Sequence, residues 1–260
     1  MELQKHFVTF IDILGFAKYV KDNTITPDRP LELLKQFIDI SRQFNIKDNL
    51  KITAFSDNIV ISMLAKEKDP PFNYDPEYWN FLAYINYFQM SIITFIGILP
   101  IRGGITYGNF YHNGSEILFG EAMIEAYDLE RLHAFFPRIV VNPKFLEPNA
   151  YLAAHKKLYS MELPINIPKT DSEQLLRYYP VKYDCDGILF CNYLSALYLI
   201  DKRWAEYSED ALNKHKYFVL SNLQAANDLN VFRKYTWMKS YHNWFCKPFK
   251  EFQKYIIPDC

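Results

Sequence analysis

The chain has few cysteines and almost no excess of charge, and each shortage excludes a class of function. Cys185, Cys191, Cys246 and Cys260 are the four cysteines in 260 residues, without the density of a secreted disulfide scaffold and without Cys-x-x-Cys spacing. Reduced thiols, no structural zinc and a cytoplasmic setting are therefore expected. The balance of 29 Lys and Arg against 30 Asp and Glu leaves a net charge of -1, with no basic footprint for a nucleic-acid duplex. No Gly-x-Ser-x-Gly, no P-loop and no dinucleotide fingerprint occurs, so hydrolase, P-loop and Rossmann readings lack support.

Long apolar runs are missing as well. Residues 84–101 form the most apolar stretch, but Asn86, Gln89, Ser91, Thr94 and Pro100 interrupt it, and no membrane association is expected. The first residues lead directly into an apolar strand, without the apolar core and cleavage site of a signal peptide, so export is not expected. His6, His112, His133, His155, His215 and His242 show no metal-ligand spacing and are expected to be structural or exposed.

What is present is a chain that is 50% hydrophobic, enough for one large domain or one domain with an appended subdomain. A strand is predicted at about 6–14, followed by Asp28-Arg29-Pro30 and a helix with the apolar stripe Leu31, Leu34, Phe37 and Ile38. Two strands flank Asp57. A polar, proline-rich connection over 66–76 precedes a helix whose Phe81, Ile85, Phe88, Ile92 and Phe95 recur at helical spacing, ending near Gly97. A strand at about 99–107 completes the order β-α-β-β-α-β, an α+β fold with a ferredoxin-like core.

Residues 1–142 are read as this core and 143–260 as an extension completing the same domain. The extension begins with a proline-rich stretch over 143–182, read as a helix plus loops, and continues with one strand near 183–190. Asp184 and Asp186 would occupy alternate exposed positions beside a glycine turn. Helices over 208–255 follow, with Ser208 as a cap and Trp237, Tyr241, Trp244 and Phe245 as packing or a subunit contact.

Two carboxylates stand where strands should be apolar, Asp12 within Phe10-Ile11-Asp12-Ile13-Leu14 and Asp57 within Ala54-Phe55-Ser56-Asp57-Asn58-Ile59. A carboxylate on a buried strand is costly unless a cation or hydrogen bonds compensate it. Neither segment contains a Lys or Arg, so a divalent metal shared between the two aspartates and phosphate oxygens is the economical compensation. Gly15 permits a close turn after the first strand, and the amides of Leu14, Gly15 and Phe16 could line a phosphate.

The series Phe10-Ile11-Asp12-Ile13-Leu14-Gly15-Phe16, Phe55-Ser56-Asp57, Arg102-Gly103-Gly104-Ile105-Thr106-Tyr107-Gly108 and Phe119-Gly120-Glu121-Ala122 resembles the class III nucleotidyl cyclases over about residues 6–142. The resemblance implies that Asp12, Asp57 and the Ile13 carbonyl hold two divalent cations, Mn2+ or Mg2+, and that Arg102 is aimed at a triphosphate. It implies attack of a ribose 3′-hydroxyl on the α-phosphate with loss of pyrophosphate. It further implies a homodimer with composite active sites, in which Thr53, Ile117 and Ile124 face a nucleotide held by the partner.

Purine cyclases of this class place lysine and an acidic residue where this chain has Thr53 and Ile117, and asparagine and arginine where it has Ile124 and Asp128. A cation must then come from elsewhere, with Arg131 and Arg138 as candidates and salt bridges as their alternative role. The loss of purine determinants, together with Gly120 to Glu130 and Phe136-Pro137-Arg138, resembles the pyrimidine cyclases of bacterial anti-phage Pycsar systems. That resemblance implies conversion of UTP to cyclic UMP. CTP and cyclic CMP, a purine cyclase with an unusual base pocket, and a catalytically silent nucleotide-sensing or interaction domain are the alternatives.

Overall fold

The computed structural model describes residues 2–22, 50–66, 70, 72, 75–113, 117–145, 172–198 and 204–259, with scattered positions between 26 and 39. The helix expected after Asp28-Arg29-Pro30 and most of the 143–182 stretch lie outside the described residues.

The strands are β1 Gln4–Ile13, β2 Leu50–Phe55, β3 Asn58–Leu64, β4 Ile101–His112, β5 Leu118–Phe119, β6 Ile139–Val141, β7 Val181–Tyr183 and β8 Leu189–Cys191. The helices used below are α1 Phe16–Lys21, α2 Pro76–Ser91, α3 Glu121–His133, α4 Ser172–Tyr178, α5 Trp204–Ala225 and α6 Leu229–Cys246. The sheet runs β2-β3-β1-β4-β6-β8-β7, with β5 pairing β4 off this path. Neighbours among its first four strands are antiparallel, in the order of a split βαβ plan, while β4 and β6 run parallel. The fold is α+β, a central mixed sheet with helices, as its sequence pattern predicts.

Alternation along the strands divides the sheet into two faces. Phe7, Ile11 and Ile13 of β1 and Ile101, Ile105 and Tyr107 of β4 pack against Tyr78, Phe81, Ile85 and Phe88 of α2. Val8 and Phe10 turn the other way, toward Ala122 and Ala126 of α3. A Cβ on Gly104 would lie 2.3 Å from the Ala126 carbonyl oxygen, so the missing side chain is what lets α3 lie directly on β4.

The helix expected to end near Gly97 does so by a changed pitch. α2 gives way to a π-helical turn over Ile92–Ile96, and Gly97 closes it at φ 63°. The wider turn carries Phe95 out of the apolar stripe, leaving it 48% exposed while Phe81, Ile85, Phe88 and Ile92 are buried. Asn86 and Gln89, which break the apolar run, donate to the carbonyls of Pro180 and Pro137 and tie the helix to the late strands. Among the described residues no helix is long and apolar enough to cross a membrane.

Three details of the extension sharpen or differ from expectation. The strand near 183–190 is a hairpin of β7 and β8, turning through Asp184 to Ile188 with the Asp184 amide bonded to the Ile188 carbonyl at 2.9 Å. Asp184 and Asp186 are not simply exposed turn residues. Both carboxylates grip Arg138, whose side chain is fully buried. The helical region expected over 208–255 contains two long helices, because the Asp228 side chain accepts the Val231 amide at 2.9 Å and starts α6 afresh.

Between α5 and α6 lies a buried polar chain whose direction follows from its end. The Tyr255 carbonyl can only accept, so His242 Nε2–H donates to it at 2.9 Å and His242 Nδ1 is an acceptor. His215 Nδ1–H then donates to His242 Nδ1 at 3.1 Å, and His215 Nε2 accepts the Tyr193 hydroxyl at 2.8 Å. Both rings are held neutral. Burial pushes His215 well below its ordinary value, helped by His242, and burial brings His242 down to about 4 against the hydrogen bond to Tyr255.

In the unfolded chain these histidines charge near pH 6.5, so between the two values the unfolded state binds more protons and stability falls as pH falls. For His242 the gap from 6.5 to about 4 corresponds to ~3 kcal/mol. Melting temperature is expected to drop between about pH 6.5 and about pH 4, and less steeply in His242→Gln. A wild-type melting temperature that stays flat over that interval would contradict this.

Candidate active site

The carboxyl end of β1 is where the chain gathers its charged residues. Asp12 is opposite Asn58 of β3 and opposite Arg102 of β4, and the Ile13 amide donates to the Asp57 carbonyl at 3.0 Å. Asp57 stands in the two-residue turn between β2 and β3, next to Ser56, which at φ 56° is the one non-glycine residue with positive φ among the described residues. Topology thus brings together Asp12, Ile13, Asp57 and Arg102. The Asp57 side chain accepts from Asn58 Nδ2 at 3.3 Å.

The cation that sequence proximity did not supply arrives from across the sheet. Arg102 Nε donates to Asp12 Oδ2 at 2.9 Å, and Arg102 Nη1 donates to the Ala134 carbonyl at 3.4 Å. Glu130 Oε1, from α3, lies 2.7 Å from the same Nε without hydrogen-bond alignment, so this is a charge contact and the buried oxygen has no hydrogen-bond donor. Burial raises the Glu130 carboxyl above its ordinary value, Arg102 opposes this, and Asp12 adds to it. The close seat of α3 on Gly104 is what delivers Glu130 to this point.

Two carboxylates with one remaining oxygen each form an all-oxygen donor set, which suits a hard divalent cation and leaves other positions to phosphate oxygens and water. Among the described residues no group of three or more His, Cys, Asp or Glu side chains converges on one point. Arg102 already shares Asp12 with any cation that would bind there.

The amides after β1 are unequal. Leu14 donates its amide to the Pro100 carbonyl at 2.9 Å, while Gly15, exposed and at φ 84°, makes the turn into α1. The Phe16 side chain is buried in the main core. Thr53 is half-buried on β2, and its hydroxyl lies 2.8 Å from His112 Nε2, whose Nδ1 lies 2.7 Å from the Ser62 hydroxyl. His112, expected to be structural or exposed, is buried, and these two contacts let it orient Thr53. Ile117 and Ile124 are 41% and 65% exposed, on the segment before β5 and on α3.

Neither arginine proposed as a replacement cation stands free at the site. Arg131 is exposed and pairs with Asp128 at 3.4 Å one turn away on α3. Arg138 is committed to Asp184 and Asp186, with its guanidinium 5.3 Å from the Phe136 ring centroid.

The chain matches no protein-family model and no curated protein. Among solved structures it is similar to the adenylyl cyclase CyaB from P. aeruginosa, at 16% identity over 61% of this chain and 84% of that one, with a TM-score of 0.40. It is similar to a bacterial light-regulated adenylyl cyclase at 14% identity over 82% of this chain and all of that one, with a TM-score of 0.42. It is similar to the guanylate cyclase domain of RhGC from Catenaria anguillulae at 18% identity over 56% of this chain and 81% of that one, with a TM-score of 0.38. Likenesses this faint carry no weight for the chemistry, which rests on the residues of the chain.

Proposed function

We propose that the chain is a class III-type nucleotidyl cyclase that converts UTP to 3′,5′-cyclic UMP and pyrophosphate, serving as a second-messenger generator in bacterial anti-phage defence. The observation that carries the reading is the meeting of Asp12, Asp57 and Arg102 at the carboxyl end of β1, from three segments far apart in sequence. Asp12, Asp57 and the Ile13 carbonyl would hold Mn2+ or Mg2+. When bound, such ions lower the pKa of the ribose 3′-hydroxyl and neutralise triphosphate charge.

The residues of the chain have separable parts in this reading. Arg102 balances Asp12 before substrate arrives and is within reach of a triphosphate afterwards, with Glu130 and the Ala134 carbonyl setting its position. Thr53, bonded to His112, which Ser62 holds in turn, offers a hydroxyl to a base where a purine enzyme offers an ammonium. The smaller polar group favours a pyrimidine over a purine, with UTP as the leading substrate and CTP as the alternative.

Thr53, Ile117 and Ile124 belong in this reading to the partner of a homodimer with composite sites. Ile117 and Ile124 are themselves exposed, and the exposed Phe55, Phe119 and Tyr127 close to these positions in sequence support a paired face. Incubation of the purified protein with UTP and manganese tests the reaction. Cyclic UMP and pyrophosphate in equal amounts are expected, whereas UDP or UMP as product would mean hydrolysis and reject it. The silent-domain alternative draws on the loss of asparagine and arginine at Ile124 and Asp128 and on the Arg102–Asp12 pair, and the same assay decides it.

A further inference from the structure

A cavity of about 300 Å3 opens beside the Asp12 cluster, between the β1–α1 turn, residues 99–100 and the two C-terminal helices. Leu14, Gly15 and Lys18 line one side, and Lys234 of α6 lines the other. Its neighbourhood ties it to the candidate site. Gly15 lies two positions beyond the strand that carries Asp12, and Pro100, which also lines the cavity, accepts the Leu14 amide.

Lys234 is the unusual member. It is half-buried, and among the described residues it makes no hydrogen bond and no ion pair. A lysine on a helix can reach water with its long side chain, so its direction into a cavity calls for a reason. Burial lowers its ammonium below the ordinary value, Arg102 adds to this, and Asp12 and Asp228 oppose it, which places its charge within the field of the Asp12–Arg102 pair. Asp22 also lines the cavity, so two lysines face one carboxylate there and the lining is net positive. Small dimensions, an exposed glycine turn and two ammonium groups suit a compact polyanion better than an apolar ligand or an acidic protein.

We propose that this cavity seats the triphosphate tail of the nucleotide, and that Lys234, contributed by the C-terminal helix α6 of the same chain, is its principal phosphate-binding cation with Lys18 as the second. The proposal rests on the nucleotide reading of the Asp12 site and extends it to a helix that the core motifs do not include. It also gives the C-terminal extension a task beyond packing, because α6 closes the site over the β1–α1 turn.

Inorganic tripolyphosphate is the probe, titrated calorimetrically into the full-length protein in metal-free buffer. Wild-type binding is expected, with affinity about ten- to a hundredfold weaker in Lys234→Gln. Lys234→Arg, which keeps the charge, is expected to bind nearly as wild type. Lys239→Gln, on the same helix but paired with Asp259 at 2.9 Å, is expected to change nothing. Melting temperatures of the unliganded variants separate lost binding from lost folding. Wild-type protein that binds no tripolyphosphate, or Lys234→Gln that binds it equally well, overturns the proposal. Lys234-dependent binding in a chain that makes no cyclic nucleotide upholds the seat and rejects the cyclase reading, so the two fail separately.

Discussion

Asp57→Asn is expected to lower cyclic UMP formation by more than about a hundredfold, because removing a metal-holding carboxylate exceeds the about 10–100-fold cost of losing an outer-shell partner. Melting temperature without ligand should barely move. Asp57 is in a two-residue turn, where asparagine is equally at home, and its one described side-chain contact is the Asn58 amide at 3.3 Å. Asp12→Asn is a less clean test, since Asp12 also compensates Arg102 and its loss leaves that guanidinium against Glu130 alone. Manganese should stabilise the wild type against heat and have no such effect on Asp57→Asn. Undiminished turnover in Asp57→Asn would remove Asp57 from the chemistry.

Arg138→Met is expected to cost about 3–5 kcal/mol of stability, the range for breaking a buried ion pair from one side. Its guanidinium is fully buried and holds together three parts of the fold: the entry to β6, the β7–β8 hairpin and, through Trp237 Nε1 donating to Asp184 at 2.6 Å, helix α6. Burial works to raise the Asp186 carboxyl, but hydrogen bonds from Arg138 and the Ile188 amide hold it below the usual carboxylate range. Without Arg138 two carboxylates would share that place uncompensated. A fall in melting temperature of roughly 6–20 °C follows for a chain of this size. Adding Asp184→Asn to Arg138→Met should recover part of the loss. A melting temperature unchanged in Arg138→Met would show that the cluster contributes nothing to the fold.

These two residues also mark what can and cannot be read from a sequence. Strand β1 and the face of α2 were legible because apolar spacing is local, and the order of the first four strands followed from alternating elements. The partner of Asp12 was not legible, since Arg102 is 90 positions away and only the antiparallel register of β1 and β4 sets them side by side. Arg138 and Asp184, 46 positions apart, looked like a spare cation and an exposed turn residue for the same reason. Each is half of an ion pair that forms when the late hairpin joins the sheet. Phe95 misled in another way, because a π-turn shifts the helical phase without a proline or glycine inside it.

The site divides along the same line. Asp12 and Asp57 stood out because a charge on an apolar strand violates a local pattern. Glu130, His112 and Lys234 violate none: each occupies an ordinary position on its own element, and their significance comes from what the fold sets against them. Lys234 in particular belongs to a helix with no sequence link to the core motifs, and only the cavity it shares with Gly15 and Lys18 connects them.

The most direct test is mass spectrometry of the products formed from an equimolar mixture of ATP, GTP, CTP and UTP with the purified protein and manganese. Cyclic UMP is the predicted main product, with cyclic CMP second and neither formed by Asp57→Asn. Cyclic AMP or cyclic GMP as main product, or no cyclic nucleotide at all, would contradict the account.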